Sequence, residues 1–295
     1  MLVDKAEKLP NFLVAGTARS GTTSLFYYLR QHPDISFAAK KEPKFFSSLP
    51  QRYPHNGIAD CTVDEGVIKD FNVYRNLFVD LNTKMIGEAS SDYLFFHEST
   101  AASIYQFLGD IPIILCLRNP VDRAFSAYNN LIRDQREFLT FDDALKAENS
   151  RFDDNWDWMW AYKRGGLYYE QVKSYKKQFS KIEIILFDDF ETNPSLVVKN
   201  VFSFLGVDPK VTVATGSRYS HSGRPNNRLL AFFASRSNPI TFLFRKLLLL
   251  IFPRSLIEKI AARSLTKNEI DPNTREELNV FFRDDIEQLE SLLNI

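Results

Sequence analysis

The chain has 295 residues, 44% of them hydrophobic, and its 37 lysines and arginines balance its 37 aspartates and glutamates. The hydrophobic content supports one sizeable core, and the balanced charge gives no overall attraction to nucleic acid, so an anion site must use local positive charge. No stretch reaches the roughly 20 apolar residues of a membrane span, and the first ten residues contain no apolar signal core. We therefore expect a single domain without a nucleic-acid partner or a membrane span.

The two cysteines favour a reducing compartment. Cys116 lies within the apolar run 113–117, where burial as a small hydrophobic side chain is a better expectation than pairing with Cys61. We therefore expect the protein to be cytoplasmic.

Apolar runs typical of buried parallel strands alternate with segments of helical spacing. The predicted strands are 12–16, 35–38, 85–87, 112–117 and 182–187. The predicted helices are 22–31, 67–79, 99–108, 121–134, 140–148, 166–179 and 194–205. This alternation predicts a three-layer α/β fold, with a central parallel sheet flanked by helices. After a polar loop over 215–227, the chain reads as helical and amphipathic to its end.

The first predicted strand leads into the loop Gly-Thr-Ala-Arg-Ser-Gly-Thr-Thr, residues 16–23, and then into a helix. This setting is that of the P-loop NTPases, whose loop N–H groups and helix N-terminus face a phosphate. Thr22 stands where an NTPase carries lysine, and the loop's cation is Arg19. Thr22, Thr23 and Ser24 add hydroxyl donors. The loop predicts a P-loop NTPase-like fold, because a glycine turn without a ligand would leave these residues unexplained.

The predicted strand 112–117 ends at Arg118, and Ser126 follows two turns along the next helix. Ligands of open parallel sheets bind beyond the carboxyl ends of the strands, where an NTPase would usually carry an acidic residue for Mg²⁺. An arginine and a hydroxyl at these positions favour a second phosphate and no metal. Alternatively, Arg118 pairs with a nearby carboxylate and Ser126 only fills the helix.

Glu42 follows the predicted strand 35–38 and lies among Lys40, Lys41 and Lys44. A carboxylate beside three lysines is ionised, and one placed near a bound acceptor could take its proton. A solvated run of charges is the alternative interpretation.

The segment from Glu88 to Tyr93 follows the predicted strand 85–87. It could line a cleft opposite Glu42. Alternatively, Ser90, Ser91 or Asp92 caps the next helix.

Together, the motifs Gly16–Leu25, Lys41–Phe46 and Arg118–Ser126 resemble those of the sulfotransferases that use 3′-phosphoadenosine 5′-phosphosulfate (PAPS). The resemblance is to the branch with the heparan sulfate sulfotransferases and many bacterial enzymes, and it covers about residues 10–230 of a single domain over 1–295. We expect residues from about 228 to 295 to form a helical C-terminal extension of that domain. The resemblance implies PAPS as donor, its desulfated form (PAP) as product, no metal, and a hydroxyl or amine acceptor on a glycan, lipid or small molecule.

The resemblance also implies roles for individual residues. Arg19 matches the cation that contacts the 5′-phosphosulfate, Arg118 and Ser126 match the pair that holds the 3′-phosphate, and Glu42 matches the catalytic base. Arg224 lies in a late loop, Ser220–Pro225, that resembles the one folding over the cofactor. The implied cofactor-binding residues are Arg19, Ser20, Gly21, Thr22, Thr23, Ser24, Arg118, Ser126, Ser222, Gly223 and Arg224.

Two positions depart from the family pattern. Ala89 stands where many glycan sulfotransferases have a lysine, and Arg19 replaces the lysine of many relatives. Arginine keeps the charge but is a poor proton donor, so its role is expected to be electrostatic. A metal-dependent P-loop kinase or nucleotidase and a non-catalytic nucleotide-binding relative remain alternatives.

The acceptor and the assembly remain open at the level of sequence. The aromatic cluster Trp156, Trp158, Trp160 and Tyr162 could stack on an acceptor or pack in the core. The apolar run 240–252 fits a helix packed on the core, a lid or a peripheral membrane contact. No motif indicates an oligomeric state.

Overall fold

The computed structural model describes residues 8–216, 224–225, 265–266 and 269–294. Among these residues, five strands form one parallel sheet in the order β2-β3-β1-β4-β5. The strands are β1 (Phe12–Gly16), β2 (Ile35–Phe37), β3 (Met85–Ala89), β4 (Ile113–Leu117) and β5 (Ile182–Leu186). The parallel α/β prediction is confirmed, and each predicted strand is found within two residues of its bounds.

Helices surround the sheet, and most of the predicted ones are found. They are α1 (Thr22–Leu29), α2 (Phe45–Ser48), α3 (Cys61–Asp64), α4 (Phe71–Asn76), α5 (His97–Leu108), α6 (Pro120–Arg133), α7 (Phe141–Asp153), α8 (Tyr168–Gln178), α9 (Phe187–Thr192), α10 (Pro194–Leu205) and α11 (Pro272–Leu293). Two 3₁₀ turns, Trp158–Trp160 and Arg164–Gly166, precede α8, and Arg224–Pro225 (β6) pairs antiparallel with Leu265–Thr266 (β7). The predicted helix 67–79 is shorter than expected, because Asp70 caps α4 through Val73 N–H.

Three helices begin with an Asx-Pro pair. The side chains of Asn119, Asn193 and Asp271 accept hydrogen bonds from the first-turn N–H groups of α6, α10 and α11. The proline that follows each cap has no N–H to leave unsatisfied. For α6, this cap starts the helix directly after Arg118, which sets the position of Ser126.

The core lies on both faces of the sheet because side chains alternate along each strand. In β1, Leu13 and Ala15 pack on one face, while Phe12 and Val14 pack on the other with Cys116 of β4. All five residues are essentially inaccessible to solvent. β1, which leads into the loop 16–23, is therefore buried on both faces.

None of the described helices is both long enough and apolar enough to cross a membrane. The run 240–252 lies outside the described residues, as do Ser222 and Gly223. In the described part of the C-terminal region, α11 buries Leu278 and Phe282 and exposes Val280, as expected of an amphipathic helix.

Candidate active site

The loop after β1 is held by close contacts with the two neighbouring strand ends. Thr17 N–H donates to the Cys116 carbonyl of β4 at 2.7 Å. A Cβ at Gly16 would overlap the Leu94 side chain, so the loop packs directly on the segment after β3. Gly21 has a φ of 85°, in the left-handed region that glycine tolerates best, and it forms the N-cap of α1. The loop is thus fixed at the N-terminus of a helix, where an anion is stabilised.

The Ser20 hydroxyl is buried in this loop and has no hydrogen-bond partner among the described residues. Buried polar atoms are nearly always satisfied by protein, water or a ligand. An unsatisfied hydroxyl inside a phosphate-type loop fits a site whose missing partner is an anion.

Arg19, Arg118 and Ser126 come together from three elements. The Arg19 Nε donates to Ser126 Oγ at 3.0 Å, and its Nη1 donates to Asn130 Oδ1 at 3.1 Å, both on α6. Arg118 Nη1 donates to the Arg19 carbonyl at 3.1 Å. The residues predicted to hold the two ends of the cofactor therefore share one cluster, in which the Arg19 guanidinium lies against Ser126.

The cluster concentrates positive charge. Burial, together with the nearby Arg133 and Arg118, lowers the pKa of Arg19 to about 9, and Asp134 opposes this in part. Burial also lowers the pKa of Arg118. Both guanidinium groups remain protonated at neutral pH, so an anion bound between them would be stabilised by their charge.

The loop between β2 and α2, residues 38–44, carries Glu42 and is called the Glu42 loop below. It is tied to the end of β3 and to the segment that follows it. Glu42 N–H donates to the Ala89 carbonyl at 2.9 Å, and Lys44 N–H donates to Ser90 Oγ at 3.1 Å. Glu42 and Lys44 have φ values of 56° and 58°, which are uncommon for residues with side chains. Such conformations occur where the surrounding structure determines them, often at functional sites.

The Glu42 carboxylate is ionised at neutral pH. Its Oε1 accepts from Lys41 Nζ at 2.6 Å and from Ser91 Oγ at 3.2 Å. Burial raises the pKa of Glu42, but the Lys41 and Lys44 charges and these two hydrogen bonds outweigh burial and lower the pKa below its usual value. The carboxylate can therefore accept a proton.

The serines after β3 support the Glu42 loop and do not cap a helix. α5 begins at His97, and its N-cap, Phe96, makes no side-chain capping bond. Ser90 and Ser91 instead contact the loop that carries Glu42, so the capping alternative is wrong for both. Their place directly after a parallel strand was the available sequence signal, but it did not specify which residues they contact.

Glu88 does not line a cleft opposite Glu42, contrary to the expectation from sequence. Its side chain is buried in the core, where its Oε2 accepts from Tyr74 Oη at 3.2 Å and from Tyr93 Oη at 2.8 Å. Burial raises the pKa of Glu88 to about 7. Adjacent strand residues point to opposite faces, and Glu88 points to the face that α4 and α5 cover.

The aromatic cluster belongs mainly to the core. Trp160 Nε1 donates to Asp60 Oδ1 at 3.0 Å, and Tyr162 Oη donates to Glu137 Oε2 at 2.7 Å. Trp160 and Tyr162 are almost fully buried, so core packing is the correct alternative for both. Trp158 lies nearest the Glu42 loop, with Lys44 Nζ 5.7 Å from its ring centroid.

The remaining predicted residues are only partly described. Thr22 is buried at the start of α1, while Thr23 and Ser24 are partly exposed in its first turn. For Arg224, the structure describes a backbone paired with Thr266 and not the side chain. Within the described ranges, no group of three or more histidine, cysteine, aspartate or glutamate side chains could hold a metal ion.

Comparison with known proteins gives consistent matches. A family model described as "Sulfotransferase domain" matches residues 9–290. A sulfotransferase from Alicyclobacillus acidocaldarius superposes with a TM-score of 0.78 and 33% identity, covering 97% of this chain and 96% of that one. That structure is therefore similar to this chain along nearly its whole length.

Two curated relatives are similar over shorter shares of their length. The membrane-associated sulfotransferase kil1 of Dictyostelium discoideum is 42% identical over 121 residues, 41% of this chain and 23% of that protein. Human heparan sulfate glucosamine 3-O-sulfotransferase 3A1 is 28% identical over 217 residues, 72% of this chain and 48% of that protein. The chain thus spans about a quarter of the length of kil1 and about half of the length of the human enzyme.

Proposed function

The chain belongs to the sulfotransferase domain family, and from the geometry of its site we propose that it transfers a sulfuryl group from PAPS to an acceptor hydroxyl or amine. PAPS-dependent sulfuryl transfer is the activity of this family. One observation carries the proposal for this chain. Arg19, Arg118 and Ser126 meet beside a loop of the phosphate-binding type, and the loop after β2 carries an ionised Glu42.

The donor would be held at two places. The N–H groups of residues 18–21 and the N-terminus of α1 would bind the 5′ end, where the buried Ser20 hydroxyl has no hydrogen-bond partner among the described residues. Arg118 and Ser126 would bind the 3′-phosphate. Because Ser126 Oγ already accepts from Arg19 Nε, its own proton can be donated to a phosphate oxygen.

When bound, PAPS supplies an activated sulfuryl group attached to a phosphate leaving group. The charge of Arg19 would stabilise the negative charge that develops on that phosphate, without donating a proton. Glu42 would receive the proton that the acceptor loses. Positioning and fixed charge would provide most of the catalysis, as expected for transfer between oxygens without a covalent enzyme intermediate.

The hydrogen bonds around β3 support this arrangement. The Ala89 carbonyl at the end of β3 accepts from Glu42 N–H, and Leu94 N–H in the segment after β3 donates to the Ala15 carbonyl of β1 at 2.7 Å. Burial raises the pKa of the Cys116 thiol to about 12, and the positive charge of Lys41 opposes this in part, so Lys41 acts electrostatically on a residue of β4.

The acceptor, the location and the domain organisation are further parts of the proposal. A glycan hydroxyl is supported by the name of the human relative, which acts on heparan sulfate glucosamine. The free cysteines, Cys61 and Cys116, support a reducing, cytoplasmic location. The single family match over residues 9–290 supports one domain that includes the C-terminal helix.

Calorimetry and a transfer assay test the function. We expect PAP to bind with equal affinity in the presence of Mg²⁺ and of a chelator, and labelled sulfate to pass from PAPS to at least one member of a glycan and small-molecule panel. Binding that requires Mg²⁺, with phosphate transfer from ATP, would favour a kinase. PAP binding without transfer to any acceptor would favour a non-catalytic relative.

A further inference from the structure

We propose that Lys41 and Ser91 are positioning residues for Glu42. They hold one carboxylate oxygen, Oε1, so that the other, Oε2, takes the acceptor's proton. The inference rests on the proposed function, in which Glu42 is the base.

The two oxygens of Glu42 are not equivalent in the structure. Lys41 Nζ and Ser91 Oγ both contact Oε1, at 2.6 and 3.2 Å. Among the described residues, none donates a hydrogen bond to Oε2. The terminal torsion of a glutamate is soft, so two donors on one oxygen restrict a rotation that would otherwise be nearly free.

The restraint comes from two separate elements. Lys41 belongs to the loop after β2, and Ser91 belongs to the segment after β3. The loop is itself fixed by the bond from Glu42 N–H to the Ala89 carbonyl and by the left-handed backbone at Glu42. The side chains of Lys41 and Glu42 are 21% and 30% exposed, so an acceptor can reach a carboxylate whose direction is already set.

The charges around Glu42 indicate what the ion pair contributes. Lys41 and Lys44 face it from its own loop, and Asp92, whose pKa the Glu42 charge raises, faces it from the segment after β3. Lys44 lies near Asp92, Asp157 and Glu42, and these carboxylates raise its pKa. Lys41 is thus the cation in direct contact with Glu42, and removing its charge will raise the pKa of the carboxyl.

The decisive variant is Lys41→Met, which keeps the length of the side chain and removes its charge. We expect kcat to fall about 10-fold to 100-fold. Acid–base catalysis contributes about 10²–10⁴-fold, and this variant keeps the Glu42 carboxylate but loses the contact that orients it. The acid limb of the pH–rate profile should move to higher pH. The KM for PAPS and the affinity for PAP should stay within about twofold, since ground-state binding is not affected.

Three further variants control the experiment. Lys41→Arg keeps a donor and a charge, so it should restore most of the kcat. Ser91→Ala removes the longer contact, whose donor is uncharged, and should lower kcat by about threefold to tenfold, as expected for the loss of one hydrogen bond. Lys40→Met is the matched control, because Lys40 lies on the same loop and donates to the Gly66 carbonyl instead of to Glu42. It should behave as wild type.

The proposal is overturned if Lys41→Met has the same kcat and pH profile as Lys40→Met. It is also overturned if Lys41→Met raises the KM for PAPS with kcat unchanged, because Lys41 would then be a residue that binds the donor. A titration of the Glu42 carboxyl by ¹³C NMR adds a test that does not depend on turnover. We expect its pKa to be higher in Lys41→Met than in wild type, and an unchanged pKa would contradict the proposal. If the wild type transfers no sulfate but the pKa of Glu42 is still higher in Lys41→Met than in wild type, the proposed function is wrong and the Lys41–Glu42 ion pair is still supported.

Discussion

The two halves of the site differ in how their charge is balanced. In the donor cluster, formed by Arg19, Arg118 and Ser126, burial together with the charges of Arg133 and Arg118 lowers the pKa of Arg19. At the base, Glu42 is paired with Lys41, and Asp92 lies near Lys44. An excess of cations favours an anionic ligand, whereas the paired charges around Glu42 keep its carboxylate ionised. The difference supports the proposal that the half with Arg19 and Arg118 binds the donor and the half with Glu42 moves a proton.

The two halves also differ in how they are built. The donor loop runs directly from β1 into α1, and Gly21 provides the turn between them. The Glu42 loop is longer and depends on Ala89, Ser90 and Ser91 of another strand for its shape. Substitutions at the base should therefore affect turnover more than binding, and substitutions at the donor cluster should affect binding more than turnover.

The largest effect is expected from Glu42→Gln, which tests the base half. We expect kcat to fall by about 10²–10⁴-fold, because no carboxylate is left to take the proton from the hydroxyl or amine that receives the sulfuryl group. PAP affinity, measured by calorimetry, should be unchanged. Glu65→Gln, at the exposed C-cap position of α3, is the control and should keep full activity. Near-normal turnover in Glu42→Gln would remove Glu42 from the mechanism.

Arg118→Ala tests the donor half. We expect PAP affinity to fall about 10-fold to 100-fold, the loss typical of a charge-assisted hydrogen bond. Affinity for adenosine 5′-phosphosulfate, which lacks the 3′-phosphate, should change little. Calorimetry with both ligands measures the difference. An equal loss for the two ligands would mean that Arg118 acts through the Arg19 carbonyl and not through the 3′-phosphate.

The smallest effect on turnover is expected from Glu88→Gln, which separates a core carboxyl from the catalytic one. Its folded-state pKa, about 7, lies above its ordinary value of 4.5, so the folded state binds the proton more tightly. The stability that Glu88 contributes is thus full below about pH 4.5 and is lost as pH rises through 7. The wild type should lose about 1–3 kcal/mol of unfolding free energy across this window.

Chemical denaturation at several pH values measures this loss. Glu88→Gln cannot ionise, so its unfolding free energy should depend less on pH between 5 and 8, while its kcat should remain near that of wild type. A pH dependence equal to that of wild type would show that Glu88 is not the group that titrates.

Much of the fold could be predicted from local sequence. Buried parallel strands are short, continuous apolar runs, so the run from Phe12 to Gly16 was identified with its correct bounds. Helix starts were also predictable where Asn or Asp precedes proline, as at Asn119. The predicted helix 67–79 is present but shorter, as α4, because its ends depend on the Asp70 cap and on packing, which apolar spacing does not indicate.

The candidate site was only partly predictable. The type and spacing of Arg19, Arg118 and Ser126 indicated two phosphate positions, but the contact between Arg19 and Ser126 joins residues 107 positions apart. Glu88 and Glu42 each follow an apolar run, yet one is buried beneath two tyrosines and the other faces an accessible lysine. The face on which a side chain lies is set by strand register and by the helices that cover the sheet.

By itself, the sequence determined the strand-loop-helix order, the parallel sheet and the residue types at each strand end, because these depend on local periodicity, caps and turns. Only the tertiary structure decided that the ends of β1 and β4 bring Arg19 to Ser126 and that the ends of β2 and β3 bring Glu42 to Ser91. Such contacts join residues distant in the chain. They form only when the strands have paired in the order β2-β3-β1-β4-β5, since that order determines which loops are neighbours.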